Sequence, residues 1–339
     1  MTEPGCNKAS PRIAIVGAGL SGLMAARVLR DRFSVSVFEK HTRPGGRCTT
    51  FDDFGMPIDS GAQYLTARSP ALQPYIQRWL ATGLIQPWDA ALAAVSDETP
   101  VSPVSPGVTR YVACPGMDAL AKALCHGLSL QFGREVSEVA YTDRWTLAFA
   151  TGGAATGYDH VILALPYGAL TSLTAEAYLP SALRDPAMAP CWAVVAAYHH
   201  PISPDYGGIF VNSGPLGWLA FNHTKPARSA TTTLVLHATP EWSQANAGLS
   251  PQVVTRTLLD AAAEVFDLPP ATQTNAFFWP EARALAPLDD RHYAHEDVPL
   301  TVCGDWCAGN RVEGALLSGL SAAQQVAEAF SGRTADLHR

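Results

Sequence analysis

The chain of 339 residues is longer than one hydrophobic core usually supports, so two domains or one large α/β unit with an insertion are expected. With 47% hydrophobic and 16% charged residues it has the makings of a globular protein rather than a disordered one. Its net charge of -7 argues against general affinity for nucleic acid or an anionic membrane, though it allows a local basic pocket.

In chain order, "MTEPGCNKASPR" lacks the apolar centre of a signal peptide, and no later apolar run approaches the roughly 18 residues that cross a bilayer. A soluble, cytoplasmic protein is the expectation. Ile13 to Val16 is apolar and strand-length, Gly17-Ala18-Gly19-Leu20-Ser21-Gly22 follows as a turn, and "LMAARVLRDR" continues at helical spacing. The first Gly permits a tight turn, the second lets a pyrophosphate approach the backbone, and the third lets helix and strand pack closely. Phosphate would then meet free N–H groups at the helix start. "SVSVFEK" is a second strand ending at Glu39, 17 residues beyond Gly22, where an acid accepts hydrogen bonds from ribose hydroxyls. Lys40 beside it completes that edge of the expected nucleotide site. Next come "RPGGRCTT", with Gly45-Gly46-Arg47, and "PIDSGAQYLT", with Asp59, Gly61, Ala62, Gln63 and Tyr64.

"ETPVSPVSPGV" is too short for a linker and reads as an ordered hairpin or loop. A helix is expected to open at Gly116-Met117, followed by short strands through "EVSEVAYTDRWTLAFA" and a return to the nucleotide-binding sheet in "YDHVILALPYGAL". "CWAVVAAYHH", "GGIFVN", "GWLAFNHT" and "TTTLVLHAT" predict an antiparallel sheet with one helix near 250–266. His199 and His200 precede a Pro and should end a strand at the surface. His292 and His295, in "RHYAHEDVP", read as part of a solvated connection. Leu300 to Cys303 then forms a strand into a second glycine turn, "CGDWCAGNRVEGA", followed by a helical pattern to Phe330. The seven cysteines show no paired spacing, as expected of reduced thiols; Cys303 and Cys307 lack the further ligands that zinc would need, and no metal is predicted.

The GxGxxG turn, terminal Glu39 and following GG-x-R resemble the flavoprotein superfamily of monoamine oxidases, phytoene desaturases and protoporphyrinogen oxidases. That resemblance implies non-covalent FAD and an α/β fold, in which a Rossmann-like domain with a central parallel sheet joins a substrate domain of mixed or antiparallel sheet. It implies that Gly46 and Arg47 reach the pyrophosphate, that Gly61-Ala62-Gln63 lies beside the flavin, and that Gly304-Asp305 bonds the ribityl chain. Val312, Glu313, Gly314 and Ala315 would face the flavin at a helix N-terminus. Val136 sits where the family touches adenine, or is a plain core valine. The FAD-binding domain would comprise 11–69, 114–170 and 298–332, the substrate domain 70–113 and 171–297, with flexible termini at 1–10 and 333–339.

"DSGAQYLTAR", "TRYVACPGMDAL", "TTTLVLHATPEWS" and "CGDWCAGNRVEGALLSG" on so short a chain further resemble the renalases, bacterial type. This implies oxidation of 2- or 6-dihydro isomers of NAD(P)H to NAD(P)+, with hydride passing to flavin N5 and electrons to O2, giving hydrogen peroxide. Arg311 replaces the aromatic wall that amine oxidases of this group carry, and either binds a carboxamide or phosphate or reaches to solvent. Tyr64, Trp192, Trp279 and Trp306 are candidate walls for a nicotinamide ring, or ordinary core. His237 either bonds the carboxamide or satisfies a core partner. An amine oxidase, and a flavin- or NAD-binding protein without turnover, remain the competing functions; no nucleic-acid or membrane partner is expected, and the chain should be a monomer or weak dimer.

Overall fold

Apolar runs from the two ends of the chain meet in one sheet. The computed structural model describes residues 10–336 apart from 53, 97, 106 and 175. Six strands lie in the order His292–Ala294, Leu300–Cys303, His160–Leu163, Arg12–Val16, Ser34–Glu39 and Ser129–Phe132. Neighbours run parallel except the first two, in which His292 faces Cys303. Because both faces of this sheet are covered, its central strands are apolar throughout rather than alternating. On one face Ile13, Ile15, Val37 and Ile162 pack against helix Leu20–Leu29 and the C-terminal helix Val312–Asp336. On the other, Ala14, Val16, Val161 and Leu163 pack against Trp145 and Leu147 of a three-stranded antiparallel sheet. The two helices cross closely: a Cβ on Gly319 would lie 2.1 Å from the Ser21 carbonyl oxygen.

A second, seven-stranded sheet runs Gln273–Ala284, Met188–Ala197, Thr233–Ala238, Leu216–Phe221, Gly208–Ser213, Leu92–Ser96, Thr99–Pro103. It is antiparallel except where Gly208–Ser213 meets Leu92–Ser96. The proline-rich stretch thus supplies an edge strand, the place in a sheet where missing N–H donors cost least. The register fixes which side chains share a face. Ala193, His237 and Trp218 stand opposite one another across three strands, and Trp279 stands opposite Cys191. Farther along that face Val195 and Val235 pack onto Phe51 and Ile58, which precede the Gly-Ala-Gln turn. The alternate residues Trp192, Val194 and Leu236 pack against Val254, Leu258 and Ala262 of helix Pro251–Ala263. The architecture is the expected one, a Rossmann-like central parallel sheet joined to a second, mainly antiparallel sheet.

Two expectations change. His292 is not in a solvated connection: it begins an edge strand, half-buried, with Nδ1 2.8 Å from the Ser321 hydroxyl. The C-terminal helix continues past Phe330, taking in 333–336, where a flexible tail is predicted. The remainder of the predicted flexible termini, 1–9 and 337–339, lies outside the described residues. No helix among the described residues is long and apolar enough to cross a membrane.

Candidate active site

A long cavity of about 1890 Å³ is lined from both sheets. At one end Gly17 has φ +102°, and a Cβ there would lie 2.5 Å from the Ala164 carbonyl oxygen; on Gly22 it would lie 2.1 Å from that of Gly17. Packing alone therefore demands these two glycines. Gly19 differs. It caps helix Leu20–Leu29 without any side-chain hydrogen bond, and a Cβ on it would meet nothing within 4 Å. The helix start consequently offers free N–H groups to an anion. Glu39 accepts from the N–H of Ala18 at 2.8 Å and of His41 at 2.9 Å, which fixes the carboxylate at the end of its strand. Gly17, Gly19, Leu20, Ser21, Glu39, Lys40 and Val136 line the cavity, whereas Ala18 and Gly22 form the turn behind its wall.

In the middle, the glycine doublet and the Gly-Ala-Gln turn interlock. The Ala62 N–H donates to the Arg47 carbonyl at 3.0 Å, and a Cβ on Gly61 would lie 2.0 Å from that oxygen. Arg47 donates to Asp305 Oδ1 at 2.5 Å and to the Ala282 carbonyl at 3.0 Å. Two residues predicted to touch separate parts of a dinucleotide are thus paired with each other, and both line the cavity with Gly46, Gly61, Ala62 and Gly304.

At the far end stand Gln63, Tyr64, His237, Trp279, Arg311, Val312 and Ala315, together with Phe210 and Trp218, which sequence reasoning did not single out. Glu313 and Gly314 serve behind this wall. Glu313 accepts from the N–H of Arg68 at 2.5 Å and of Ser69 at 2.7 Å, and from the Thr66 hydroxyl at 3.2 Å. A Cβ on Gly314 would lie 2.3 Å from the Ala308 carbonyl oxygen. Two tryptophans leave the site altogether. Trp306 is fully buried and donates to the Leu165 carbonyl at 2.9 Å. Trp192 faces the helix side of its sheet, its ring tilted against Phe278 with centroids 4.8 Å apart and its N–H donating to the Asn246 carbonyl.

His237 Nε2 lies 3.3 Å from the Ser60 carbonyl. Burial pushes its pKa down to about 4; the Ser60 bond opposes this, and the charge on Lys225 adds to it. The ring is neutral at pH 7. A carbonyl can only accept, so the proton sits on Nε2 and Nδ1 is left as an acceptor.

Behind Gln63 lies a group that sequence reasoning missed. Asp59 Oδ2 accepts from Lys225 Nζ at 3.0 Å and from Arg228 Nη2 at 2.8 Å, and all three side chains are 0% exposed. Burial alone would raise the Asp59 pKa, but Lys225 and Arg228 outweigh it and hold the carboxyl below its usual range. Burial lowers that of Lys225, against the pull of Asp59.

These residues fit an FAD. An uncapped helix start and Glu39 stand at one end of an elongated cavity, and an aromatic wall facing a second helix start stands at the other. The comparisons agree. Residues 107–327 match the family described as flavin containing amine oxidoreductase, and residues 15–79 match an NAD(P)-binding Rossmann-like domain. The chain belongs to the flavin-containing amine oxidoreductase family, and its cofactor is FAD. Polyamine oxidase 2 of Arabidopsis thaliana is 42% identical over 72 residues, which is 20% of this chain and 15% of that enzyme. Protoporphyrinogen oxidase 2 of the same plant is 43% identical over 60 residues, 17% of this chain and 12% of that one. The matched stretch is thus a small part of either relative. A putrescine oxidase triple mutant redesigned for cofactor binding superposes with a TM-score of 0.74 at 16% identity, covering 94% of this chain and 99% of that one. Wild-type putrescine oxidase bound to putrescine gives 0.67 at 17% identity, with the same coverage. At such identities the likeness speaks for the fold.

Proposed function

We propose that this flavoprotein oxidises nicotinamide dinucleotides misreduced at ring carbon 2 or 6, returning NAD(P)+ and passing electrons to O2 to give hydrogen peroxide. The observation that carries this reading is the far end of the cavity, where neutral His237 and aromatic walls share the lining with Arg283 and Arg311. Bound FAD supplies the hydride acceptor at N5. The residues need only stack the ring and choose which carbon approaches, because a dihydropyridine that loses hydride becomes a pyridinium and gives up no proton. Nδ1 of His237 suits the N–H of a carboxamide, Tyr64, Trp218 and Trp279 suit the ring faces, and the two guanidiniums suit phosphate. Glu281, an acid in the same lining, is engaged by the Gly168 N–H at 2.6 Å.

Anaerobic stopped-flow mixing with separated 2-, 4- and 6-dihydro isomers, following flavin absorbance, tests the proposal. Rapid bleaching by the 2- or 6-isomer and slow bleaching by the 4-isomer is expected. Equal rates for the 2- and 4-isomers, or rapid bleaching by putrescine, would overturn it. Family membership favours a second reading, oxidation of a small amine among the aromatic walls, whose rate would climb with pH as the amine deprotonates.

A further inference from the structure

We infer that Lys225 is a positioning residue for the cofactor: its buried charge, in excess of what Asp59 neutralises, acts through Gln63 to make bound flavin a stronger hydride acceptor. Asp59 is satisfied without it. Oδ1 accepts from the Thr50 hydroxyl at 3.1 Å and the Met117 N–H at 2.8 Å, and Oδ2 already accepts from Arg228. A one-to-one Asp59–Arg228 pair would close the charge balance of this pocket. Lys225 adds a second cation with a fully buried side chain, a costly arrangement unless negative charge lies near.

The direction of its influence follows from its other partner. Nζ donates to Gln63 Oε1 at 3.1 Å. Gln63 cannot turn its amide round, because Nε2 is bound to the carbonyls of Asp59 and Gly61. Gly61, Ala62 and Gln63 line the cavity, and the residues on either side of them touch the second sheet, Ser60 at His237 and Tyr64 at Trp218. With Glu39 taking the adenosine half, the isoalloxazine half of an extended FAD meets them. A ligand touching Gln63 is then two contacts from Nζ, with little water between to screen the charge. Hydride uptake leaves the flavin ring with one negative charge, spread over N1 and the C2 carbonyl. A cation at that range favours the reduced form. This inference rests on FAD binding and not on the identity of the substrate.

The test uses Lys225→Met holoenzyme with two readouts. Sulfite adds through its lone pair to N5 and leaves a negative charge on the ring, with no oxidant or proton required, so its affinity reports the same stabilisation. Sulfite should bind at least tenfold more weakly, and the two-electron midpoint potential should fall by about 30 mV or more, the equivalent of tenfold. Lys225→Arg should recover most of both. Should the Met variant lose its flavin, Lys225→Gln, which can still bridge Asp59 and Gln63 without charge, is measured in its place. Unchanged sulfite affinity and potential in either neutral variant overturns the inference. So does loss of FAD from both neutral variants while Lys225→Arg keeps it, since the lysine would then serve assembly alone.

Discussion

His237 and Arg47 each gain a role from a partner far away in the chain. The glycine doublet predicts an Arg47 that reaches phosphate, yet Asp305, 258 residues on, already holds its guanidinium. Spacing made the turns legible because each is a local backbone requirement, as Gly17 and Gly22 show. The Asp59 cluster was not legible, since Lys225 and Arg228 lie 166 and 169 residues beyond it and carry no local signature. For His237 the strand "LVLHAT" indicates a sheet position but not its tautomer, which the Ser60 carbonyl sets. Its titration yields a prediction. The folded pKa of about 4 lies below the unfolded 6.5, so neutral His237 favours the fold fully above pH 6.5, and that contribution is lost as pH falls from 6.5 towards 4. Chemical denaturation between those limits should show stability falling by up to about 1.4 kcal/mol per pH unit, with a shallower slope in His237→Asn. Substrate-driven flavin reduction should stay flat from about pH 6 to 8, since the ring holds no proton to lose there.

Strands and helices account for which predicted walls survive. Trp192 and Trp218 both sit in apolar strands, and composition alone does not separate them. Register does: Trp218 stands opposite His237, as does Ala193, so the neighbouring Trp192 must point to the other face. A period of two announces alternation, but the face that borders a cavity is decided by what packs on each side. Trp306 fails for another reason, lying in a short helical turn beneath the sheet rather than in a strand. Glu313 shows the same division at the C-terminal helix. It begins the helix as predicted, yet its carboxylate is spent on the N–H groups of Arg68 and Ser69, tying the helix start to the segment after Tyr64. Both N–H groups share Oε1, and the Thr66 hydroxyl takes Oε2; Glu313→Gln keeps the size and one shared oxygen but removes the charge that strengthens these bonds. Hydrogen bonds to a charged group contribute about 1.5–3 kcal/mol each, so a loss near the lower figure is expected. Thermal denaturation of the holoenzyme should show a lower Tm, with flavin released at or before unfolding; an unchanged Tm would mean that the anchor is dispensable.

Across the whole molecule, charge is unevenly placed. The chain carries a net charge of -7, yet among the described residues six Lys and Arg side chains line the cavity against four Asp and Glu. A basic cleft within an acidic surface gathers field where the walls exclude water, drawing anions in against the overall repulsion. For a dinucleotide substrate this attraction speeds encounter and weakens as salt shortens the Debye length from about 30 Å at 0.01 M to about 8 Å at 0.15 M. A polyamine meets the opposite field: the acidic surface attracts it and the cleft repels it. Arg311, exposed where the C-terminal helix begins and with no carboxylate among the described residues within ion-pair distance, is the cation best placed to separate the cases. Arg311→Met should raise KM for a dihydronicotinamide dinucleotide on the order of tenfold, the worth of one charge-assisted contact, while leaving the limiting rate of flavin reduction within about twofold. It should also flatten the salt dependence of kcat/KM, because the removed charge no longer contributes to steering. A mononucleotide truncated at the pyrophosphate should show a smaller change in KM on the same substitution, since it presents less phosphate to the guanidinium. If Arg311→Met leaves KM for the dinucleotide unchanged, or improves turnover of putrescine, then the cationic end of the cavity does not select an anionic substrate, and amine oxidation becomes the better reading.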